Sequence, residues 1–225
     1  MLLGKIFNNY KSDYYKNGYV KINQLFDQDE ILKIKKDVLN YEYKKKPTIN
    51  KLLHIEKKIP SIKKFIGNDY LKFLLKYILN YEDILGLQTE IFFNPPETKG
   101  YGFHQDDFFL MTGKNNSANL WIPLVKTNKT NGTLNFLKQS NNLKVMKKIN
   151  ESNLKKGELK KLKKYKKISI NCNLGDAILI SNRVFHGSTE NKSKSNRYVL
   201  AVGYIRKGAS YRRGFTANRK AFKLI

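Results

Sequence analysis

The sequence has 225 residues, of which 40% are hydrophobic and 12% aromatic, and this composition excludes a disordered chain and favours one globular domain. We expect neither a membrane span nor a signal peptide, because no run of about 18 apolar residues is present and the first apolar stretch is short. Cys172 is the only cysteine, so an internal disulfide is excluded and a reducing, cytoplasmic location is expected.

The net charge of +26 is unusual, and it comes from 44 Lys and Arg residues against 18 Asp and Glu residues. Such an excess is typical of proteins that meet nucleic acid, anionic membranes or anionic substrates. It also arises from composition alone, because Lys, Asn and Ile are abundant here, as in proteins encoded by AT-rich DNA. The charge therefore leaves a functional and a compositional origin open.

The first part of the chain, about residues 1–83, is predicted to be largely helical. Asp27 and Glu30 have the spacing of a capping box, and apolar residues follow at helical spacing. This pattern predicts a helix over residues 28–43. A second amphipathic helix is predicted from Asn68 onward.

Two further features lie in this helical part. Residues 14–18 are interpreted as a turn that leads into a strand over residues 19–22, because Asn-Gly is a turn signal. His54 lies in a lysine-rich, irregular stretch. We interpret His54 as structural, and a histidine of the substrate pocket is the alternative.

From Ile84 onward the hydrophobic pattern predicts strands, and a turn at Asn131-Gly132 predicts a hairpin. The last of these strands is expected to pair with the strand that carries His186. Strands follow helices without βαβ alternation, which predicts a mainly β protein with flanking α-helices, built as a double-stranded β-helix (a jelly-roll, cupin-like barrel). We expect one domain over residues 1–225, with the jelly-roll core at about 84–206. The predicted strands cover residues 84–93, 120–125, 133–137, 177–180 and 198–204.

A candidate metal site is predicted from residues 103–109 together with a distant histidine. If this stretch is a strand, His104 and Asp106 project from the same face. They would be two ligands of the 2-His-1-carboxylate triad that holds non-haem Fe(II) and leaves coordination positions open. His186, in an apolar segment, is the best third ligand. Arg197 follows at the start of an apolar run, where a guanidinium could clamp a carboxylate in a bidentate manner.

Each of these residues also has a plain structural explanation. A His and an Asp two positions apart occur by chance, His186 fits a hydrogen-bonded core histidine, and Arg197 fits a surface cation at a strand start. The metal interpretation is favoured because the features occur together. Aromatic side chains that could wall the site from water stand beside the first ligand pair, at Phe103, Phe108 and Phe109.

These motifs resemble the phytanoyl-CoA dioxygenase family of Fe(II)- and 2-oxoglutarate-dependent oxygenases. The resemblance runs over most of the chain. Four segments carry it: the N-terminal strand and helix entry (15–27), the first ligand pair (104–106), the Trp121-Ile122-Pro123-Leu124 segment with its following turn (131–134), and the distal segment (175–197). It implies that Fe(II) is held by His104, Asp106 and His186. It also implies 2-oxoglutarate and O₂ as co-substrates and hydroxylation of a C–H bond with release of succinate and CO₂.

By the same resemblance, Arg197 and Ser188 hold the distal carboxylate of 2-oxoglutarate, and Gln88 faces this co-substrate. Asp106 favours hydroxylation, because related iron halogenases have a small residue there that leaves room for halide. The chain departs from the family at residues 138–141, where Lys-Gln-Ser-Asn replaces the frequent Pro-Gly-Ser-His. This departure concerns a loop and its substrate contacts, not the ligand set.

The substrate class is open at this point. A small organic substrate, anionic if the charge is functional, is the first prediction. A nucleic-acid- or protein-modifying oxygenase is an alternative, but nucleic-acid oxygenases have a second arginine six positions after the clamp, and here that position is Gly203. A non-catalytic basic binding protein on the same fold is the other alternative. Nothing in the sequence indicates an oligomeric state.

A lysine-rich segment at residues 144–167 has eleven lysines against two glutamates. Such a run is usually a solvated loop or helix face. In a jelly roll this connection can also lie over the barrel mouth, where loops carry specificity. The segment is therefore either a solvated surface or a basic lid that attracts an anionic substrate.

Overall fold

The computed structural model describes residues 2–45, 51–146 and 160–224 of the chain. Helices dominate the first part and strands the rest, as predicted. The α-helices are α1 (Leu2–Asn17), α2 (Gln28–Lys45), α3 (Pro60–Ile66), α4 (Asp69–Leu79) and α5 (Asp107–Leu110). The strands are β1 (Tyr19–Ile22), β2 (Lys51–Leu53), β3 (Ile84–Asn94), β4 (Ser117–Pro123), β5 (Leu134–Leu137), β6 (Lys167–Ile170), β7 (Ala177–Ser181), β8 (His186–Ser188) and β9 (Arg197–Arg206).

These strands form two antiparallel sheets. The larger sheet has the order β1-β7-β4-β9-β3-β2, and the smaller has the order β6-β5-β8. Apolar side chains from both sheets meet in one buried cluster, as expected of two sheets packed face to face. This confirms the prediction of a mainly β protein of antiparallel strands with flanking helices. The cluster contains Tyr19, Trp121, Leu134, Phe136, Ile178, Ile180 and Val199.

The helices cover the other face of the larger sheet. On β4, Leu120 and Ile122 belong to the helix-facing core while Trp121 belongs to the cluster between the sheets, because alternate residues of a strand face opposite sides. The side chain of Asn68 caps α4 by accepting a hydrogen bond from the N–H of Leu71 over 2.8 Å. Within the described ranges, none of the helices has the length and apolar character needed to cross a membrane.

The N-terminal segment is more helical than predicted. Residues 14–17 are the last turn of α1, not part of an isolated turn, and only the strand that follows was correctly predicted. Gly18 ends the helix with a φ of +83°, a conformation that glycine adopts without steric cost. The Asn-Gly pair therefore marks a helix end, which has the same local chemistry as a free turn.

The predicted strand over residues 103–109 is wrong. His104 makes only an isolated β-bridge with His186, and the chain then turns into the short helix α5. The carboxylate of Asp107 accepts hydrogen bonds from the N–H groups of Thr112 and Gly113 over 2.8 and 3.1 Å. Side-chain bonds of this kind compete with strand pairing and favour a compact turn.

Two predicted strand pairings are also wrong. β4 pairs with β7 and β9, whereas β5 pairs with β6 and β8, so the expected hairpin is a crossing between the two sheets. β9 pairs with β3 and β4 and not with the strand of His186. β5 and β7 are buried along their whole length. Such strands show no alternation of apolar and polar residues, so their sequence does not indicate which sheet they join.

Asp176 fastens the turn before β7 to the N-terminal part of the chain. Its carboxylate accepts hydrogen bonds from the N–H groups of Gln24 and Asn173 over 3.0 and 2.8 Å, and it lies 2.8 Å from Nζ of Lys21. Burial acts to raise the pKa of Asp176, but the Lys21 and backbone N–H contacts outweigh it and hold the pKa below its ordinary value.

We therefore expect Asp176→Asn to lower the free energy of unfolding at pH 7 by about 1–3 kcal/mol. Because the pKa is lower in the folded protein, this contribution is complete above the unfolded-state value of about 3.9 and is lost as the pH falls through the folded-state pKa. Urea denaturation of both proteins between pH 7 and pH 3 measures it. A difference between them that stays constant over this range would contradict the expectation.

Candidate functional site

His104 and His186 are held side by side by their own backbones. The N–H of each residue donates to the C=O of the other over 2.9 and 3.0 Å. Nδ1–H of His104 donates to the carbonyl oxygen of Gly102 over 2.9 Å, and Nδ1–H of His186 donates to that of Val184 over 3.1 Å. These bonds select the tautomer in which Nε2 is free to bind a metal ion.

Asp106 completes the group because the chain turns toward both imidazoles at this residue. Its Oδ1 lies 3.6 Å from Nε2 of His104 and 3.8 Å from Nε2 of His186. Its Oδ2 accepts a 2.6 Å hydrogen bond from Nδ2 of Asn119 on β4. One ligand atom from each of the three residues lies within 4.8 Å of the others, so a single metal ion can bind all three.

The charges of these residues depend on one another. Burial acts to raise the pKa of Asp106, but the two imidazoles and the Asn119 amide outweigh it and lower the pKa to about 2. Burial lowers the pKa of His186. Burial also acts to lower the pKa of His104, but the Asp106 carboxylate outweighs it and the pKa is raised. Asp106 is therefore charged at neutral pH, as a metal-binding carboxylate must be.

The neighbouring acid, Asp107, is directed away from the histidines. It is 3% exposed, and its Oδ2 lies 3.1 Å from Nε of Arg183, in addition to the backbone contacts that stabilise the α5 turn. Asp107 therefore stabilises the loop that carries Asp106.

Arg197 is buried with no acidic partner in the described part of the chain. It is 3% exposed, and its Nη1 and Nη2 donate to the carbonyl oxygen of Gly132 and to Oδ1 of Asn94, both over 2.6 Å. Its Nε has no hydrogen-bond partner among the described residues. Burial lowers the pKa of the guanidinium to about 10. A buried cation without a counter-ion is stabilised by an anionic ligand.

Ser188 and Gln88 each have a hydrogen-bonding group that is not used by the described residues. Oγ of Ser188 accepts a 3.0 Å hydrogen bond from the N–H of Tyr101, so its hydroxyl proton is free to donate elsewhere. Nε2 of Gln88 donates to Oε1 of Glu90. Within the described residues, the buried Oε1 of Gln88 has no partner.

One cavity of about 320 Å³ brings together all the site residues that were predicted from the sequence. Its lining includes His104, Asp106, His186, Arg197, Ser188 and Gln88. Of the three phenylalanines expected to wall the site, only Phe109 lines the cavity. Phe108 does not line it, and Phe103 packs outside it against the cluster that contains Phe185 and Leu162. The remaining aromatic walls come from Phe92, Tyr101 and Trp121.

The cavity also contains polar residues that sequence reasoning missed: Lys51, Glu90, Asn119 and Arg219. Glu90 and Asn119 had a recognisable signal, because each interrupts a strand that is otherwise largely apolar. Arg219 had none, since it follows the last predicted strand. His54 does not line the cavity, and its Nε2 donates to the carbonyl oxygen of Ala217 over 2.6 Å, which fits the structural interpretation.

Several solved structures share this fold. The "non-heme alpha ketoglutarate dependent epimerase SnoN from nogalamycin biosynthesis" has a TM-score of 0.80 at 15% sequence identity, over 93% of this chain and 86% of that one. EctD from S. alaskensis, with 2-oxoglutarate and 5-hydroxyectoine, has a TM-score of 0.77 at 15% identity, over 94% and 81%. AviO1 from Streptomyces viridochromogenes has a TM-score of 0.72 at 16% identity, over 90% and 96%. These likenesses confirm the predicted jelly-roll, cupin-like fold.

Comparison with curated proteins gives no match. The family profile described as phytanoyl-CoA dioxygenase matches residues 14–199, which is most of the chain. This match confirms the resemblance found in the motifs, and it brings with it iron as cofactor and 2-oxoglutarate and O₂ as co-substrates. The chain belongs to the phytanoyl-CoA dioxygenase family of Fe(II)- and 2-oxoglutarate-dependent oxygenases.

Proposed function

We propose that this enzyme hydroxylates a C–H bond of a small organic substrate, with release of succinate and CO₂. The observation that supports this best is the arrangement of His104, Asp106 and His186, whose ligand atoms lie within 4.8 Å of one another. The same cavity contains the guanidinium of Arg197, which has no acidic partner among the described residues. Two neutral nitrogens and one carboxylate oxygen suit Fe(II) and leave coordination positions open.

In this proposal the three ligands hold the iron, and the protein prepares each of them. The Gly102 and Val184 carbonyls orient the imidazoles, and Asn119 holds Asp106 by one oxygen while the other faces the imidazoles. When bound, Fe(II) with 2-oxoglutarate and O₂ supplies the oxidation of a C–H bond. The aromatic walls exclude water from the reacting atoms, and the ligands set their position.

Arg197 and Ser188 are proposed to hold the distal carboxylate of 2-oxoglutarate. Nε–H of the guanidinium has no partner within the described ranges, and the Ser188 hydroxyl has a proton to donate, so both supply donors to a carboxylate. The buried positive charge of Arg197 would gain the counter-ion that the described residues do not provide. Gln88, with its unpaired Oε1 in the same cavity, is proposed to face the co-substrate.

The experiment that tests this function follows succinate release from 2-oxoglutarate, with Fe(II) and O₂, across a panel of small organic molecules. A substrate should couple succinate release to a product that is 16 mass units heavier, and omission of iron should stop both. The function would be wrong if the purified protein bound neither Fe(II) nor 2-oxoglutarate.

Asp106→Gly is expected to abolish hydroxylation, because it removes the carboxylate that fills one coordination position. We expect no chloride incorporation, because halogenases also need a tuned set of surrounding contacts. The matched variant is Asp107→Asn, which should retain iron and lose stability, because Asp107 supports the α5 turn. Iron content and turnover measure both. Hydroxylation at the wild-type rate in Asp106→Gly would make Asp107 the ligand.

The substrate is proposed to be anionic, with the lysine-rich segment helping to attract it. Residues 147–159 of this segment lie outside the described residues. Among those described, Lys160, Lys161, Lys163 and Lys164 are exposed, while Leu162 between them packs against Phe185. None of the described lysines from this segment lines the cavity, so any effect on the substrate acts at long range.

We therefore expect KM for an anionic substrate to rise with ionic strength while kcat stays nearly constant, since the Debye length falls from about 30 Å at 0.01 M to about 8 Å at 0.15 M. Serine at Lys160, Lys161, Lys163 and Lys164 should flatten this dependence. Four exposed helix lysines of equal total charge, at Lys33, Lys36, Lys63 and Lys64, are the matched control. A salt-independent KM would show that the segment is only a solvated surface.

The single-domain organisation over residues 1–225 is likewise a proposal. It is supported by one continuous apolar core to which α1, α2, α3 and α4 contribute together with all six strands of the larger sheet. The cytoplasmic location stays a prediction from the sequence.

A further inference from the structure

We propose that Arg219 binds a carboxylate group of the substrate, and that the C-terminal segment (residues 207–224) exists in part to place it. Arg219 lies beyond residues 14–199, which match the family, so it is a feature of this chain and not of the matched motifs. It lines the same cavity as the metal ligands. The inference rests on the proposed function, because it concerns the substrate of that site.

Three of the contacts that fasten the C-terminal segment beside the cavity involve Gly86, Leu110 and Ala217. Gly86 on β3 and Phe222 exchange two backbone hydrogen bonds of 2.9 and 2.8 Å, and the Phe222 ring lies directly over the glycine. The N–H of Arg212 donates to the carbonyl oxygen of Leu110 at the end of α5, over 2.7 Å. The third contact is the hydrogen bond from His54 to the Ala217 carbonyl. The segment is thereby tied to the strand and to the turn that form the cavity.

Within this segment the backbone curls around the guanidinium of Arg219. The backbone N–H of Arg219 donates to the carbonyl oxygen of Arg213 over 2.9 Å. Nη1 of its side chain lies 3.4 Å from the carbonyl oxygens of Arg212 and Arg213. Gly214, with a φ of +73°, passes so close that a Cβ there would lie 2.6 Å from Nη1. A side chain at that position is therefore excluded by both the backbone conformation and the guanidinium.

The guanidinium is nevertheless incompletely satisfied. Arg219 is 9% exposed, and its Nε has no hydrogen-bond partner among the described residues. The two Nη1 contacts are long for N–H···O bonds, whose usual range is about 2.7–3.2 Å. A buried cation with a free donor that lines a ligand cavity is suited to an anionic group, and its planar fork is suited to a carboxylate.

The carboxylates of Glu90 and Asp106 both favour the charged form of Arg219, but among the described residues neither forms an ion pair with it. No ion pair within 4.0 Å joins Glu90 to Arg219 in the described part of the chain, and Oε1 of Glu90 is engaged by Gln88. Burial raises the pKa of Glu90, and Lys51 opposes this rise more than Arg219 does. Glu90 therefore does not occupy the hydrogen-bond donors of Arg219.

The charges of the loaded site lead to the same conclusion. The net positive charge of Fe(II) with Asp106 is balanced by the net negative charge of 2-oxoglutarate with Arg197, so these four groups together supply no counter-charge for Arg219. Two buried guanidiniums in one cavity fit two carboxylate ligands, the co-substrate on Arg197 and the substrate on Arg219. The proposed substrate class is thus a small organic acid that keeps its carboxylate away from the carbon to be oxidised.

The experiment uses protein loaded with Fe(II) and saturating 2-oxoglutarate without oxygen, and follows the fluorescence of Trp121, the only tryptophan, which lines the cavity. The probes are straight-chain carboxylates from acetate to octanoate and the matching primary amides. At least one acid should bind about 10-fold or more tightly than its amide, because a hydrogen bond to a charged group is stronger than a neutral one. Arg219→Gln should remove this preference.

Arg213→Gln is the matched control, because Arg213 lies in the same turn and its exposed side chain bonds only Asn218 among the described residues. This control should keep the acid preference, and Arg219→Gln should still bind 2-oxoglutarate like the wild type. If Arg219→Gln fails to fold, Arg219→Lys decides, since it keeps the charge without the planar fork and should bind the acid several-fold more weakly.

Absence of any acid preference in the loaded wild-type protein, or an undiminished preference in the folded Arg219 variants, would overturn the inference. Failure to load Fe(II) and 2-oxoglutarate would instead contradict the proposed function, so the two outcomes are distinguishable before any probe is added.

Discussion

Alanine at either His104 or His186 is expected to lower the affinity for Fe(II) by roughly 100-fold or more and to abolish turnover. Losing only an outer contact of a metal ligand typically lowers metal affinity by about 10–100-fold, and losing the ligand itself lowers it further. Each imidazole also helps to keep Asp106 ionised, since both lower the pKa of its carboxyl. Removing one imidazole therefore weakens the remaining carboxylate as well as deleting a ligand. Iron content after gel filtration and anaerobic titration with Fe(II) measure the loss.

His54→Ala is the matched control for these variants, because His54 is the only other histidine of the chain and does not line the cavity. It should bind one Fe(II) per chain like the wild type, with some loss of stability from the lost bond to Ala217. Circular dichroism and Tm show whether each variant is folded. Wild-type activity in either His104→Ala or His186→Ala would refute the ligand assignment.

Arg197→Ala is expected to weaken 2-oxoglutarate binding by on the order of 30-fold or more while iron stays bound. Removing one partner of a buried, hydrogen-bonded charge pair costs about 2–5 kcal/mol, of which 1.4 kcal/mol is a factor of ten. Arg197→Lys should recover little, because an ammonium does not offer the planar pair of donors. Calorimetric titration of the Fe(II)-loaded protein with 2-oxoglutarate measures the effect.

Arg206→Ala, at the exposed end of the same strand, is the matched control and should leave the affinity for 2-oxoglutarate unchanged. Iron binding by Arg197→Ala shows that the metal site is still formed. An unchanged affinity in Arg197→Ala would place the clamp elsewhere. Arg219→Gln would then be the next variant to titrate, because Arg219 is the other buried guanidinium in the cavity.

The sequence by itself determined the features that depend on local pattern and on chemical type. Helical spacing of apolar residues predicted α2 and α4, and a short apolar run predicted the buried strand β7. The proposed ligands could also be recognised in the sequence. Few residue types bind iron, and few residues of those types lie beside apolar strands in this chain. The family resemblance added the co-substrate and the residues that would hold it.

Only the tertiary structure decided how these residues meet. Residues 103–109 were expected to present His104 and Asp106 as neighbours on a strand, but the two converge because the chain turns between them. His186 joins them through a reciprocal backbone bridge across a long sequence separation. The pairing of the strands and the position of Arg219 in the cavity were likewise visible only in the tertiary structure. Such contacts depend on loop closure and on packing between distant segments, and local periodicity carries no information about either.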